Sequence, residues 1–435
     1  MIKEYTLGDC VEMIIDYRGK TPQKMGGDWV DNGYRVISAL NVHGGFIDNE
    51  DQIRCVSQEI YEKWMKDEIK RNDCFLASEG ASLGENTIWD SDEKIVLGQR
   101  LYAIRTNQDK LDPWYFAMYM QTKKFRQQID QISTGSTVFG ISQPVLLGVK
   151  LLLPNIVEQR KIGALYRNIY HKLKNNNSIC SDLESMAKLL YDYWFVQFDF
   201  PDENGRPYKS SGGKMVWNDE VKREIPEGWG ILDLNEHLKT IRGISYSTPD
   251  LNDNGVPMIN LACFSVNSNY NHAGLKRFGG NYSNDKVLKP YELVMCNTQQ
   301  TALDPTKDII GKCLIVPDIF DGDILSSHHV NRLLFDDEDL KFYFYGESKT
   351  VWFHKFVSGL CSGTNILGMD FNGLYRYKMT MPPVHLLKQY SKMVVEIETK
   401  KSNIIEENQE LTSLRDFLLP MLMNGQIKIK DAKAS

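Results

Sequence analysis

The sequence contains no CxxC pair. Its eight cysteines, Cys10, Cys55, Cys74, Cys180, Cys263, Cys296, Cys313 and Cys361, are scattered through 435 residues. Scattered thiols in a long chain fit a reducing cytoplasm, not a disulfide framework or a zinc site. No run of eighteen apolar residues occurs, so no membrane-spanning helix is expected. Met1-Ile2-Lys3-Glu4-Tyr5 places no apolar stretch behind a basic cluster, so no secretory signal is expected. Positive charge is also short. The net charge is −6, with 18 basic against 22 acidic side chains over 1–154 and 14 against 17 over 229–383. That excludes a simple polycation that binds nucleic acid by bulk charge. Any DNA binding would need local patches or help from partners.

Catalytic motifs are missing too. Gly19-Lys20-Thr21 looks like the end of a phosphate-binding loop, but Ile14 stands where the first glycine is required, which excludes an NTPase loop. No NPPY-type methyltransferase motif and no glycine-rich AdoMet loop occur. His328-His329 has no nearby Cys or His to complete a metal set, so no metal site is expected. With no nucleophile–base constellation either, the chain reads as a recognition protein and not as a catalyst.

An internal repeat is present. Ser133-Thr134-Gly135-Ser136-Thr137-Val138-Phe139-Gly140 recurs as Cys361-Ser362-Gly363-Thr364-Asn365-Ile366-Leu367-Gly368, and Leu151-Leu152-Leu153-Pro154 recurs as Met379-Thr380-Met381-Pro382. Gly140 to Gly368 and Pro154 to Pro382 are both 228 positions apart. Upstream, Arg18-Gly19 is echoed by Arg242-Gly243, Val36–Leu40 by Pro257–Leu261, and Asp73–Ala77 by Glu292–Cys296. Their shared order favours duplication over chance.

Each copy opens with short β-type runs broken by glycine, asparagine and aspartate, which predicts a mixed domain of many strands and turns. Each closes on a helix. Asn155 and Glu158 form a capping-box pattern. Ile162, Leu165, Ile169 and Leu173 follow at spacings of three and four, and Ile179, Leu183, Met186, Leu190 and Tyr193 resume the stripe past Asn175-Asn176-Asn177. The second copy gives Tyr390, Val394, Ile397, Ile404, Leu411, Leu414 and Leu418 and is expected to stop at Pro420. About 40 helical residues span roughly 60 Å and must bury their stripe. Each stripe could pack on its own domain. Equal length and a narrow seam favour pairing of the two helices, antiparallel, with the seam on Ile162, Leu165, Ile169, Leu173, Leu183, Leu190, Val394, Ile397, Ile404, Leu411 and Leu418. The polar midpoints, Asn175–Asn177 and Lys400-Lys401-Ser402-Asn403 beside Ile404, would then face each other and fix register. Trp194, Phe195 and Phe198, at the end of the first helix, are expected to dock in a core rather than on a partner. Trp29 and Tyr34 are expected in a core as well.

The expected fold is therefore α+β: two mixed α/β domains separated by an antiparallel coiled coil of two long helices, a pseudo-twofold repeat. The divisions are 1–154 (first domain), 155–200 (first helix), 201–228 (a Gly, Pro and Ser-rich linker), 229–383 (second domain), 384–424 (second helix) and 425–435 (tail).

This plan resembles the specificity subunits of type I restriction–modification enzymes. Pro154-Asn155-Ile156-Val157-Glu158-Gln159-Arg160-Lys161-Ile162 looks like that family's helix start, and Leu189–Asp199 looks like its helix end. Val216-Trp217 with Ile225-Pro226-Glu227-Gly228-Trp229 looks like the approach to its second target-recognition domain, and Gly135-Ser136-Thr137 is similar to its turn before the last strand. The second copy departs from the pattern, with Leu386-Leu387-Lys388-Gln389 in place of the Glu-Gln pair. The resemblance implies a non-catalytic cytoplasmic chain that recognises a bipartite, asymmetric duplex DNA target. It implies two methyltransferase subunits and, optionally, two restriction–translocase subunits as partners. Adenine methylation and cleavage, with AdoMet, ATP and Mg, would belong to those partners. The alternative is a non-catalytic two-domain scaffold that binds a protein or glycan.

Base edges are read by Arg, Asn or Gln, whereas turns with free backbone N–H groups hold phosphates. The candidate DNA-binding residues are accordingly Arg18, Lys20, Gln99, Arg100, Gly135, Ser136 and Thr137 in the first copy. In the second they are Arg242, Gly363, Thr364 and Asn365.

Overall fold

The computed structural model describes residues 2–48, 50–134, 139–264, 270–299, 308–364 and 366–429. It divides into two compact units, Met1–Asn175 with Glu410–Ser435, and Asn176–Gln409.

In the first unit, β1 (Val11–Asp16), β2 (Cys74–Ala77), β3 (Asn86–Ile88) and β4 (Leu101–Thr106) form an antiparallel sheet in the order β1-β4-β2-β3. Leu101–Ile104 of β4 are all fully buried, since both faces are covered. Tyr34–Ile37 runs parallel to Val96–Leu97 on one side. On the other lie α1 (Pro113–Met120), capped by Asp112 at Tyr115 N (2.9 Å), and α2 (Lys123–Ile132), capped by Thr122. Lys3–Thr6 pairs antiparallel with Lys150–Leu153 and leads the chain into α3 (Ile156–Tyr191).

The Asn155 side chain accepts from Glu158 N at 3.0 Å and so caps α3. Gln159 is buried. It accepts from Asp112 N (3.1 Å) and donates to Lys110 O (3.1 Å) and Pro154 O (2.9 Å), which ties α3 to the start of α1. In the second copy the equivalent residue is the buried Leu387. Ile162, Tyr166 and Tyr170 of α3 join the core of the first unit with Leu419 and Leu422.

A methyl group on Gly163 would lie 2.3 Å from Asp112 Oδ1 and 2.9 Å from Tyr115 N. Gly163→Ala is therefore expected to destabilise by about 1–3 kcal/mol despite alanine's better helix propensity, because the clash falls on a helix cap and its backbone. Urea unfolding measures this.

The second unit repeats the strand order. β5 (Leu238–Arg242), β6 (Leu293–Cys296), β7 (Cys313–Ile315) and β8 (Val330–Phe335) form an antiparallel sheet in the order β5-β8-β6-β7. Leu251–Ile259 runs parallel to Leu325–Ser326, and Gly230–Asp233 pairs with Lys378–Met381. Two helices follow, α4 (Glu338–Glu347) and α5 (Val351–Ser358), and then α6 (Val384–Met423).

Trp194, Phe195 and Phe198 are buried in this unit's core with Trp229, Tyr343 and Tyr390, as expected. Trp29 and Tyr34 are half-buried against a core of the first unit. Residues 201–228, expected to be a linker, carry regular structure in their second half. Met215–Asn218 and Arg223–Pro226 form a hairpin, and Ile225 is buried in the second unit's core. The apolar Ile225 and Trp229 outweigh the turn-rich composition here.

Within the second unit, the C-terminal half of α3 and α6 run antiparallel. Asn176 donates to Glu407 and Asn408, both at 2.8 Å, Lys401 meets Glu184 at 2.6 Å, and the Tyr191 and Tyr390 rings lie 5.9 Å apart. These contacts correct the expected register. Asn176 faces Glu407 and Asn408, not Lys400–Asn403, because polar residues in a seam need partners but do not specify which ones. Leu183, Val394 and Ile397 are buried, while Leu190 and Ile404 are half-buried. In the first unit Ile162, Ile169 and Leu173 are buried, and Leu165, Leu411 and Leu418 are half-buried. Ile179, Met186 and Leu414 are exposed, although their spacing suggested a buried stripe. A helix of 3.6 residues per turn drifts away from a seven-residue repeat, which moves them off the seam. Nor does Pro420 stop α6. It lies inside the helix, which runs on to Met423, held by the burial of Leu419 and Leu422. So close to the helix end, the missing N–H of proline costs a single bond.

Candidate nucleic-acid interface

In the first unit, four loops meet at one end of the sheet. The turn after β1 reverses at Gly19 (φ +81°). The Arg18 guanidinium grips the Asp16 carboxylate at 2.8–3.1 Å and lies 4.5 Å over the Tyr102 ring, and its bonds to Asp16 raise its pKa. Lys20 turns inward, donating to Trp64 O at 2.8 Å, and burial lowers its pKa. Gln99 reaches Lys20 O at 3.4 Å. Arg100 adopts a left-handed φ of +60° and holds its Nε 3.5 Å from Glu79. Ser78 N donates to Arg100 O, and Gly80 N to Phe139 O. Arg18, Lys20, Gln99 and Arg100 are thus brought together, while Gly135, Ser136 and Thr137 lie outside the described residues.

Sequence reasoning missed three residues at this place. Glu79 offsets the charge of Arg100. Phe139 and Leu40 are exposed, 54% and 69%, and both flank Gln99-Arg100, with Ala39 N donating to Gln99 O. Phe139 falls inside the repeated Ser133–Gly140 motif, and Leu40 inside the repeated Val36–Leu40. Membership of a repeat was the available signal, but apolar side chains read as core.

The second unit makes the corresponding cluster. Arg242, at the end of β5, is exposed and donates through Nε to His328 O at 3.3 Å. A methyl on Gly243 would lie 2.2 Å from Ser327 O, so the backbones approach closely there. Asn297 Nδ2 donates to His328 O at 3.0 Å and to Asn331 Oδ1 at 2.5 Å. Asn297 O accepts from Met369 N, which ties the cluster to the turn between Cys361-Ser362 and Leu367–Met369. Gly363 (φ +131°) and Thr364 lie in that turn, and Asn365 lies outside the described residues. The His328 and His329 ring centroids lie 3.9 Å apart, with the planes tilted by 41°. Burial, with His328 and Arg242 beside it, lowers the His329 pKa and favours its neutral form at pH 7.

Both clusters offer side-chain and backbone donors, and in the first the Arg18 and Arg100 tips are partnered by the carboxylates of Asp16 and Glu79. Such surfaces suit directional contacts better than bulk attraction to phosphate. Among the described residues, no helix is long and apolar enough to cross a membrane.

No family model matches the chain. It is 23% identical over 486 aligned positions to the HindI specificity subunit, a type I restriction enzyme chain of Haemophilus influenzae, covering 98% of this chain and 99% of the relative. Its relatives are type I specificity subunits. A second specificity subunit, that of MjaIX from Methanocaldococcus jannaschii, is 22% identical over 324 residues, or 73% of this chain and 69% of that one. The crystal structure of the type I restriction–modification S subunit from M. genitalium superposes with a TM-score of 0.55 at 13% identity, over 99% of this chain and 97% of that one. The chain therefore shares its mixed α/β fold with that structure.

Proposed function

We propose that the chain is the DNA sequence-specificity subunit of a type I restriction–modification complex. One observation carries this reading: the end-to-end match to the HindI specificity subunit, 98% of this chain against 99% of that one. The strand order β1-β4-β2-β3, repeated as β5-β8-β6-β7, supports a duplicated pair of target-recognition domains, 1–154 and 229–383. The antiparallel contacts of α3 and α6 in the second unit support a coiled coil between those domains.

On this reading each domain reads one half of a bipartite duplex DNA target through the loop clusters around Arg18–Lys20 and Gln99-Arg100, and around Arg242, Gly363 and Thr364. The chain itself does no chemistry. Two methyltransferase subunits with AdoMet would methylate an adenine in each half. Two optional restriction–translocase subunits with ATP and Mg would cleave. All would act in the cytoplasm.

Domain exchange tests the modularity. Replacing residues 1–154 with the first domain of another specificity subunit is expected to change one half-site of the methylated target and leave the other. A change in both halves would contradict it. Within the first domain, Arg100→Ala is expected to cost about 1–3 kcal/mol of discrimination at one base pair, about 5- to 150-fold in relative methylation rate. Competition between single-base variants of the target measures this.

A further inference from the structure

Four charged side chains are buried together in the second unit. Lys401 of α6 contacts Glu184 of α3 at 2.6 Å and Glu398 of α6 at 2.9 Å. Lys349, in the turn between α4 and α5, contacts the same Glu184, lies 3.7 Å over the Tyr345 ring, and belongs to the recognition domain, not to the helices. Tyr345 OH adds a hydrogen bond to Glu184 at 3.3 Å. Each of the four side chains is 10% exposed or less.

The duplication supplies an internal comparison. Shifted by 228 positions, Glu184, Lys349, Lys401 and Glu398 correspond to Thr412, Gln121, Leu173 and Tyr170. Leu173 and Tyr170 are buried in the first unit, and Gln121 turns to Asn86 at 2.8 Å. The first copy therefore has apolar and neutral side chains where the second has an ionic network.

A buried ion network is a poor source of stability, since apolar residues of similar volume are often as good or better. It is a good source of specificity of arrangement. Charged hydrogen bonds are directional, and a shifted domain would strand a buried charge. Apolar contacts tolerate sliding far better.

We propose that Lys349, through Glu184 and Lys401, keys the second recognition domain to one orientation on the helices, and that this key narrows the permitted gap between the two half-sites. The inference rests on the DNA-specificity reading. Lys349 and Glu184 are positioning residues; neither is placed at the DNA. The key also makes the two domain positions non-equivalent, because a first-copy domain seated in the second position would present Gln121 to Glu184.

The test uses the full chain assembled with its methyltransferase subunits and a set of duplexes in which only the gap varies. Glu184→Leu with Lys349→Met replaces the pair by apolar side chains of similar size and leaves Lys401 with Glu398. The advantage of the native gap over gaps one base pair longer or shorter is expected to fall about tenfold. The half-site sequences should stay unchanged, and Lys349→Arg should retain the wild-type profile. Lys349→Gln, which installs the first copy's residue and leaves Glu184 paired with Lys401, is the milder variant and should broaden the gap in the same direction. A wild-type gap profile in both variants, whatever their melting temperatures, overturns the proposal. If the wild-type complex methylates no bipartite target, the specificity reading fails instead.

Discussion

Glu184→Leu alone is expected to destabilise the chain by about 3–5 kcal/mol, the cost of leaving a buried charge without its partner. The stranded group is Lys349, because Lys401 keeps Glu398 at 2.9 Å. Adding Lys349→Met should recover most of the loss, since the double variant buries no unpaired charge. Recovery of less than half would mean that Glu184 acts through some other contact, such as its bond with Tyr345. The effect depends on pH. Burial alone would raise the Glu184 pKa, but Lys349 and Lys401 outweigh it and hold it at about 2, below its ordinary 4.5. A carboxylate depressed on folding contributes stability that is present above the unfolded value and lost as pH falls through the folded one. The contribution of Glu184 to this difference should therefore shrink as pH falls from about 4.5 towards 2. Urea unfolding between pH 7 and pH 3 follows it.

The second large effect concerns salt. Residues 1–154 and 229–383 are each acidic overall, and the arginines of the first loop cluster include Arg18 on Asp16 and Arg100 beside Glu79. The isolated chain should bind duplex DNA weakly, with a shallow dependence on ionic strength. A complex that adds cationic surface from methyltransferase subunits should bind far more tightly. Each phosphate neutralised contributes a slope of about −0.9 in log K against log salt. A complex making several such contacts loses about 10³–10⁵ in affinity between 50 and 200 mM salt. Titrations of the same duplex with the chain and with the complex give both slopes. Equal slopes and equal affinities would mean that this chain carries the phosphate contacts itself.

The sequence carried the 228-residue period in Gly140 and Gly368 and in Pro154 and Pro382, and the two prolines each follow directly on a paired strand, Lys150–Leu153 and Lys378–Met381. The long helices were legible because apolar spacing over some 40 residues leaves little else to form. Register was not. Asn176 and Lys401 both announce a polar layer, but each pairs elsewhere, with Glu407 and Asn408 for one and Glu184 and Glu398 for the other. Lys349 gave no signal, since a lone lysine between two short helices reads as surface and its burial depends on Glu184, 165 residues away. The loop clusters were partly legible. Arg18 and Arg242 stood out by recurring before a glycine. Leu40 and Phe139 did not, because apolar residues in a strand-rich region are ordinarily core.

The central claim is that this chain chooses the DNA sequence. Its most direct test is a map of methylated adenines in a host that expresses the methyltransferase subunits with and without the chain. The account predicts one bipartite motif, methylated only when the chain is present, with one half that changes when residues 1–154 are exchanged. A motif that persists without the chain, or methylation by the chain alone, would contradict it.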